Sequence, residues 1–469
     1  MNQPLPTDLS RIDKLLLDRD GVSPEQSRAA RASCVPAIAA GADVASSEML
    51  QVALLTAVNL AHKSFSALVP VLAPQQVWDA KPKTPLAANL TLREELLAIG
   101  ATPVDAIEGS APVLVLGDAH AQGRALRVTF DGWRVGVGPA ATMARMPERH
   151  LCALAAVAAA AVAVGEAFSL WAGIDIEATR KNVAFSLWRP DLPVEHPHSL
   201  GDVPLELPRS LELFGLGHLG QAYVWSLACL PIAARDKFLL YLCDDDVVEL
   251  PNLETGALLR SADLPGRKTR VVSRWLQARA IDTRLIERFI DHDYRRCGTE
   301  PVVALAGFDN NNARQWLAGA GFTFVVDAGL GGEASNFDSV AVKTWPQSIP
   351  AAQLWPLETD ADREKREDRQ ARRARFNAAY ADIAPDDCGK LLVANKAVAI
   401  PFVGAIASAL AVAELLRRCN AGPAFDSTRA RACALGSKPL GAHLEVERAP
   451  AWRGLEMVAL NRPSGFSGD

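Results

Sequence analysis

From residue 210 onward, short apolar runs alternate with amphipathic stretches. The pattern predicts strands at 210–214, 238–243, 302–306 and 323–327, and helices at 218–230, 269–280 and 311–318. Strands that alternate with helices need crossover connections, so a largely parallel sheet covered on both faces is expected. The N-terminal half is less regular. VLVL at 113–116 predicts a buried strand, and LRVTFDGWRVGV at 126–137 a hairpin turning at Asp131-Gly132. A proline-rich stretch at 188–208 separates the two patterns. AVAAAAVAVGEAF at 156–168 resembles GAIASALAVAELL at 404–416, with Glu166 matching Glu414, and each segment lies near the end of its half. The repeat suggests a duplicated α/β fold.

Composition narrows the classes. At 469 residues the chain is long enough for two or three domains. Its net charge of −5 argues against a broad nucleic-acid-binding face. The opening residues show no basic region followed by an apolar stretch, so no secretory leader is expected. The apolar run at 151–172 is about long enough to span a bilayer. It is mostly alanine and carries Glu166, so a buried helix is expected and no membrane contact. The 8 cysteines are scattered without any CxxC, which fits a reducing cytoplasm and neither a disulfide framework nor a paired-cysteine zinc site. His196 and His198, in a proline-rich loop, are expected to be solvated. The charged stretch at 358–387 has helical composition and is expected to form a solvated helix.

The chemistry begins where the strand SLELF runs into Gly215-Leu216-Gly217-His218-Leu219-Gly220 and then a helix. Glycines let the backbone approach a phosphate, and a helix N-terminus offers free N–H groups. The next strand ends in Asp244-Asp245-Asp246, where an acidic side chain can accept ribose hydroxyls. Up to this point a nicotinamide-dependent dehydrogenase fits equally well. Asn252-Leu253 then follows, with Lys268 ahead of a helix and Asp309, Asn310 and Arg314 after the third strand. A lysine can neutralise charge developing on a triphosphate, and an aspartate beside it can hold Mg²⁺. A nicotinamide enzyme has use for neither.

In this order, the set resembles the ThiF/MoeB and ubiquitin-activating superfamily, over residues 211–345 and again at 397–417. The resemblance implies an α/β fold: a Rossmann-like ThiF-type adenylation domain in tandem with a degenerate N-terminal copy. The organisation expected is an inactive adenylation-like domain at 1–200, an ATP-binding adenylation domain at 201–345, a crossover loop at 346–396, and the completion of the adenylation domain at 397–469. Carried over residue by residue, the family's glycine loop falls on Gly215, Gly217 and Gly220, and its ribose-binding acid on Asp244. Its second acid and asparagine fall on Asp246 and Asn252, its catalytic lysine on Lys268, and its Mg²⁺- and phosphate-side aspartate on Asp309. An arginine borrowed from the inactive half maps onto Arg11, with Arg28 and Arg31 as competitors. Thr255 and Gly256 stand where the family has arginine and glutamine, so Arg260 or another residue must compensate. The family's zinc-binding cysteine pairs are absent.

What the resemblance implies about function is ATP- and Mg²⁺-dependent adenylation of the C-terminus of a ubiquitin-like protein. Cys388, in the crossover loop, would then take the acyl group as a thioester and pass it to a carrier-like conjugating enzyme. A tandem pair in one chain is the arrangement of conjugating members, and bacterial conjugation operons of the Bil type, including anti-phage ones, are a natural setting. A homodimer is a further expectation. Two alternatives stay open: adenylation for a sulfur-carrier protein or small acceptor without a cysteine step, and a nucleotide-binding scaffold that has lost catalysis.

Overall fold

The computed structural model describes residues 8–149, 152–380, 383–384, 386–444 and 455–461. Residues 1–7, on which the leader reading rests, lie outside it, as do Leu151 and Pro385 from the segments read above.

Two sheets of the same design organise the chain. The first contains β1 (Ala37–Ala40), β2 (Val69–Leu72), β3 (Ala101–Pro103), β4 (Val113–Leu116), β5 (Ala125–Asp131), β6 (Arg134–Pro139) and β7 (Val183–Ser186), in the order β3-β2-β1-β4-β5-β6-β7. Its first five strands are parallel, and β6 and β7 are antiparallel additions. After a short β8 (Glu206–Pro208), the second sheet contains β9 (Ser210–Phe214), β10 (Leu239–Cys243), β11 (Asp282–Ile286), β12 (Val303–Ala306), β13 (Phe324–Leu330), β14 (Ser339–Trp345), β15 (Phe425–Arg431) and β16 (Gly441–Leu444). Its order, β11-β10-β9-β12-β13-β14-β15-β16, repeats the first with one strand added, and its first five strands are again parallel. The last strand, β17 (Met457–Ala459), pairs with β8.

The helices that matter below are α1 (Asp13–Asp20), α2 (Glu48–Phe65), α3 (Leu92–Ala98), α4 (Ala153–Trp171), α5 (His218–Ala228), α6 (Lys268–Gln277), α7 (Asn311–Ala318), α8 (Asp360–Phe376), α9 (Asp387–Asn395) and α10 (Pro401–Cys419). The two repeat segments are α4 and α10. Each follows the first antiparallel strand of its sheet, and the two helices pack on each other. Phe168 and Phe402 meet with ring centroids 5.5 Å apart, and a Cβ on Gly165 would come within 3.0 Å of the Phe402 ring. The matched glutamates do matching work. Glu166 accepts the N–H of Thr179 (2.7 Å) shortly before β7, and Glu414 accepts the N–H of Phe425 (3.0 Å) at the start of β15. The chain is thus a tandem of two Rossmann-like α/β halves around one continuous core.

Among the described residues, α4 is the one helix long and apolar enough to cross a membrane by length and composition; 94% of its apolar window is buried in the protein. The charged stretch is largely α8, a helix in which Ala374 is the one buried residue, and Ala379, Tyr380 and Ala384 beyond it are buried. The proline-rich stretch between the halves is less solvated than its composition implies, because Trp188 is buried against Trp133, centroids 5.0 Å apart.

Candidate active site

The glycine loop lies at the carboxyl ends of β9, β10 and β12, where ligands bind in open α/β sheets. Gly215 has φ +77°, and a Cβ there would stand 3.1 Å from the Gly307 carbonyl oxygen. A Cβ on Gly220 would fall 1.8 Å from the Gly215 oxygen, so helix and loop close only around glycine. Gly217 is different: a Cβ there would meet nothing within 4 Å. Packing does not require that glycine, and the open space in front of it fits a close ligand. Gln221 fixes the loop from below by donating to the Leu216 carbonyl (3.0 Å).

Asp244 holds the loop from the side. Its carboxylate accepts the N–H of Leu216 (2.6 Å) and that of Asp246 (2.8 Å). Burial pushes its pKa up, with Lys268 opposing. Asp246 is exposed and pairs with Lys268, Nζ to Oδ2 2.5 Å, while the lysine itself is buried. The Lys268 N–H also donates to the Asp246 carbonyl (3.1 Å), so the first residue of α6 is tied to the loop after β10. Asn252 does local work, its side-chain oxygen accepting the Glu249 N–H (2.9 Å).

Asp309 is exposed beyond β12, one oxygen taking the Asn310 side-chain N–H at 3.1 Å. Asn310 caps α7 by accepting the Ala313 N–H (2.8 Å). Arg11 comes to the same corner from the N-terminal segment. Its Nη1 donates to the Ala397 carbonyl (3.3 Å), while its buried Nε has no partner among the described residues. Burial lowers its pKa, and the charges of Glu249 and Asp309 oppose this. The competing arginines are engaged elsewhere. Arg31 is fully buried against Asp13 (3.0 Å) and Glu254 (3.4 Å), and Arg28 faces Asp13 (3.4 Å).

Two readings change, and one residue was missed. Arg314, read beside Asp309, pins α7 to the sheet: its Nε lies 3.0 Å from both oxygens of Asp327, and it also bonds the Phe308 carbonyl. Arg260 lines a cavity between the halves that shares no lining residue with the glycine loop. His218 passed as an unspecified position in the loop motif. It is the first residue of α5, lies against Gly404, and is pushed down to about 4 by burial, so its ring is neutral.

Cys388 is not in this group. It is exposed in the first turn of α9, whose N-cap Asp386 accepts the Gly389 N–H (2.6 Å). Lys396, at the other end of α9, is pushed down to about 8 by burial and by Arg11. A rise of 1.5 Å per residue puts roughly 12 Å of helix between Cys388 and Lys396. The crossover segment is clamped to α1. The Tyr380 hydroxyl donates to Asp18 (2.6 Å), Arg373 pairs with Asp18 (3.2 Å), Lys14 bonds the same carboxylate, and Asn377 donates to the Leu17 carbonyl (2.8 Å).

The equivalent corner of the first half is closed. Gly41 follows β1, and a Cβ on it would sit 1.9 Å from the Asp118 side chain. Asp43 accepts the Asp118 N–H (3.1 Å), and Arg145 bridges Asp43 (2.5 Å) and Glu148. The loop after β1 is thus filled by the chain's own carboxylates and a guanidinium.

Two Rossmann-like halves in tandem, with an open glycine loop in the second among the described residues, are the frame on which the chain's relatives are compared. Residues 36–187 match the BilD N-terminal domain and residues 207–422 the BilD C-terminal domain. The chain is 37% identical over 390 residues to the bacterial E1-like protein BilD of Collimonas sp. (strain OK412), covering 82% of this chain and 83% of that protein. It belongs to the BilD family. Among solved structures, E. coli MccB is similar at 15% identity, both with succinimide (TM-score 0.35, 51% of this chain) and alone (TM-score 0.34, 50% of this chain). The chain spans 65% and 61% of those two MccB chains, just under two thirds.

Proposed function

We propose that this protein binds ATP at the glycine loop and adenylates the C-terminal carboxylate of a ubiquitin-like protein. The observation that carries the reading is the meeting of Lys268–Asp246, Asp309 and Arg11 around an open glycine loop. The free N–H groups at the start of α5 and the neutral His218 ring leave that end of the helix without a competing charge. The Asp244 carboxylate retains lone pairs for ribose hydroxyls beyond its two backbone bonds. The substrate carboxylate attacks the α-phosphorus and pyrophosphate leaves. Lys268, released from Asp246, and Arg11 meet the charge that develops. Asp309, exposed and free of any ion pair among the described residues, fits as the holder of Mg²⁺, which would neutralise phosphate charge.

Cys388 is proposed to attack the activated carbonyl carbon, releasing AMP and leaving a thioester for a carrier-like conjugating enzyme. About 12 Å of helix lies between Cys388 and Lys396, whose neighbour Ala397 bonds Arg11, so the reading includes a movement of the crossover segment. The same separation favours the second reading, in which an external acceptor, such as a sulfur-carrier protein, takes the adenylate directly. A cytoplasmic setting, an anti-phage role and a homodimer belong to the proposal. The test is pyrophosphate exchange: label should pass from pyrophosphate into ATP only when Mg²⁺ and the cognate ubiquitin-like protein are present. Tight NAD binding without ATP binding would end the adenylation reading.

A further inference from the structure

Between the two halves lies a cavity of about 350 Å³, a volume in the range of small-molecule sites, which favour domain interfaces. Its walls come from α2 and α3 on one side, and from α5, α6 and residues 253–261 on the other. Charge in it is unevenly matched. Arg279 pairs with Glu95 (3.1 Å) and lies 3.6 Å from the centroid of the Trp275 ring. Glu254 is taken by Arg31, Ser10 and Ser66, and Asp263 by Arg274 (3.2 Å).

Two cations are left over. Lys63 gives two of its N–H groups to the carbonyls of Leu253 and Leu259, each at 2.6 Å, and an ammonium has three. Arg260 is exposed. Neither has an ion-pair partner among the described residues. Burial pushes Lys63 down to about 8 and the nearby Arg260 adds to this, while Glu254 and Asp263, each already paired with another arginine, oppose it. Beside them stand Trp225 and Trp275, stacked with centroids 6.1 Å apart.

We propose that this cavity binds a small organic anion with an aromatic or apolar body, its charge taken by Lys63 and Arg260 and its body by Trp225 and Trp275. The site is separate from the nucleotide corner, yet α5 starts at the glycine loop and residues 253–261 follow directly on Asn252. An occupant therefore touches both elements that frame that corner.

The full chain is titrated with 8-anilinonaphthalene-1-sulfonate and, in parallel, with the uncharged N-phenyl-1-naphthylamine, reading tryptophan-sensitised emission. Saturable one-site binding of the sulfonate is expected, weakened at least tenfold by Arg260→Glu. The neutral dye should change less than twofold in that variant. Trp275→Leu should weaken both dyes, and saturating ATP should displace neither. Because Arg260 is exposed, the charge reversal should leave the thermal midpoint near that of the parent. Non-saturable binding, indifference of the sulfonate to Arg260→Glu, equal loss of both dyes in that variant, or displacement by ATP would each overturn the proposal. None of these outcomes depends on whether the protein adenylates anything.

Discussion

Asp309 and Cys388 divide the proposed reaction between them. Removing a charge-stabilising group of the Asp309 kind costs on the order of 10²–10³-fold in rate. Asp309→Ala should therefore lose pyrophosphate exchange by that factor while its thermal midpoint stays put, since the side chain is exposed and its one hydrogen bond is to its neighbour. Near-normal exchange would make it an ordinary loop residue. Cys388→Ala should keep exchange, because adenylate formation needs no protein nucleophile, yet lose a reducible adduct on a non-reducing gel. Survival of the adduct would point to another cysteine, with the exposed Cys297 next in line. A third residue speaks to pH. Glu212 lies in the middle of β9, fully buried; one oxygen accepts the Tyr294 hydroxyl (2.5 Å), the other has no partner among the described residues, and burial pushes it up to about 7. Because its folded pKa lies above the unfolded one, the folded state binds the extra proton. Stability from this group is full below about pH 4 and is lost as pH rises through 7. Glu212→Gln should remove that decline, gaining on the order of 3 kcal/mol at pH 8 relative to the parent. Chemical denaturation of both proteins at pH 5 and pH 8 checks it, and parallel pH curves would refute the assignment.

At the scale of elements, the periodic parts were readable and the docked parts were not. Strand β9 and helix α7 stand at the residues the apolar pattern indicates, although the apolar run of β9 is interrupted by Glu212, which is itself buried. The glycine loop, Asp244 and Lys268 could be found because each directly adjoins a strand or helix end. Arg314 misled because its spacing from Asp309 is equally that of a helix side chain turning back to the next strand. The seating of α8 and α9 on α1 was invisible, since α8 is charged along nearly its whole length. It hangs on the Asp18 carboxylate, which is 1% exposed. Removing one partner of a buried charge cluster costs about 3–5 kcal/mol. Asp18→Asn should therefore loosen the already exposed, arginine-rich α8, so that tryptic cleavage in residues 360–390 accelerates well before the rest of the chain is cut. Unchanged digestion would mean that the apolar contacts of Leu9, Leu17 and Val393 hold the segment alone.

At the scale of the whole molecule, the two halves share one core through α4 and α10. A single cooperative thermal transition is the expected calorimetric result, and two resolved transitions would contradict the shared core.

The closed corner of the first half has a consequence in counting. Arg145, already bonded to Asp43 and Glu148, leaves that corner nothing to offer a triphosphate, so an ATP titration should end at one equivalent per chain; an endpoint of two would mean the corner opens. Two identical subunits could not be built this way, since a change that shuts one loop shuts its twin. Encoding both copies in a single reading frame frees one to become a fitted wall for the other. Asymmetry is thereby inherited with the chain and does not have to be re-established at each assembly.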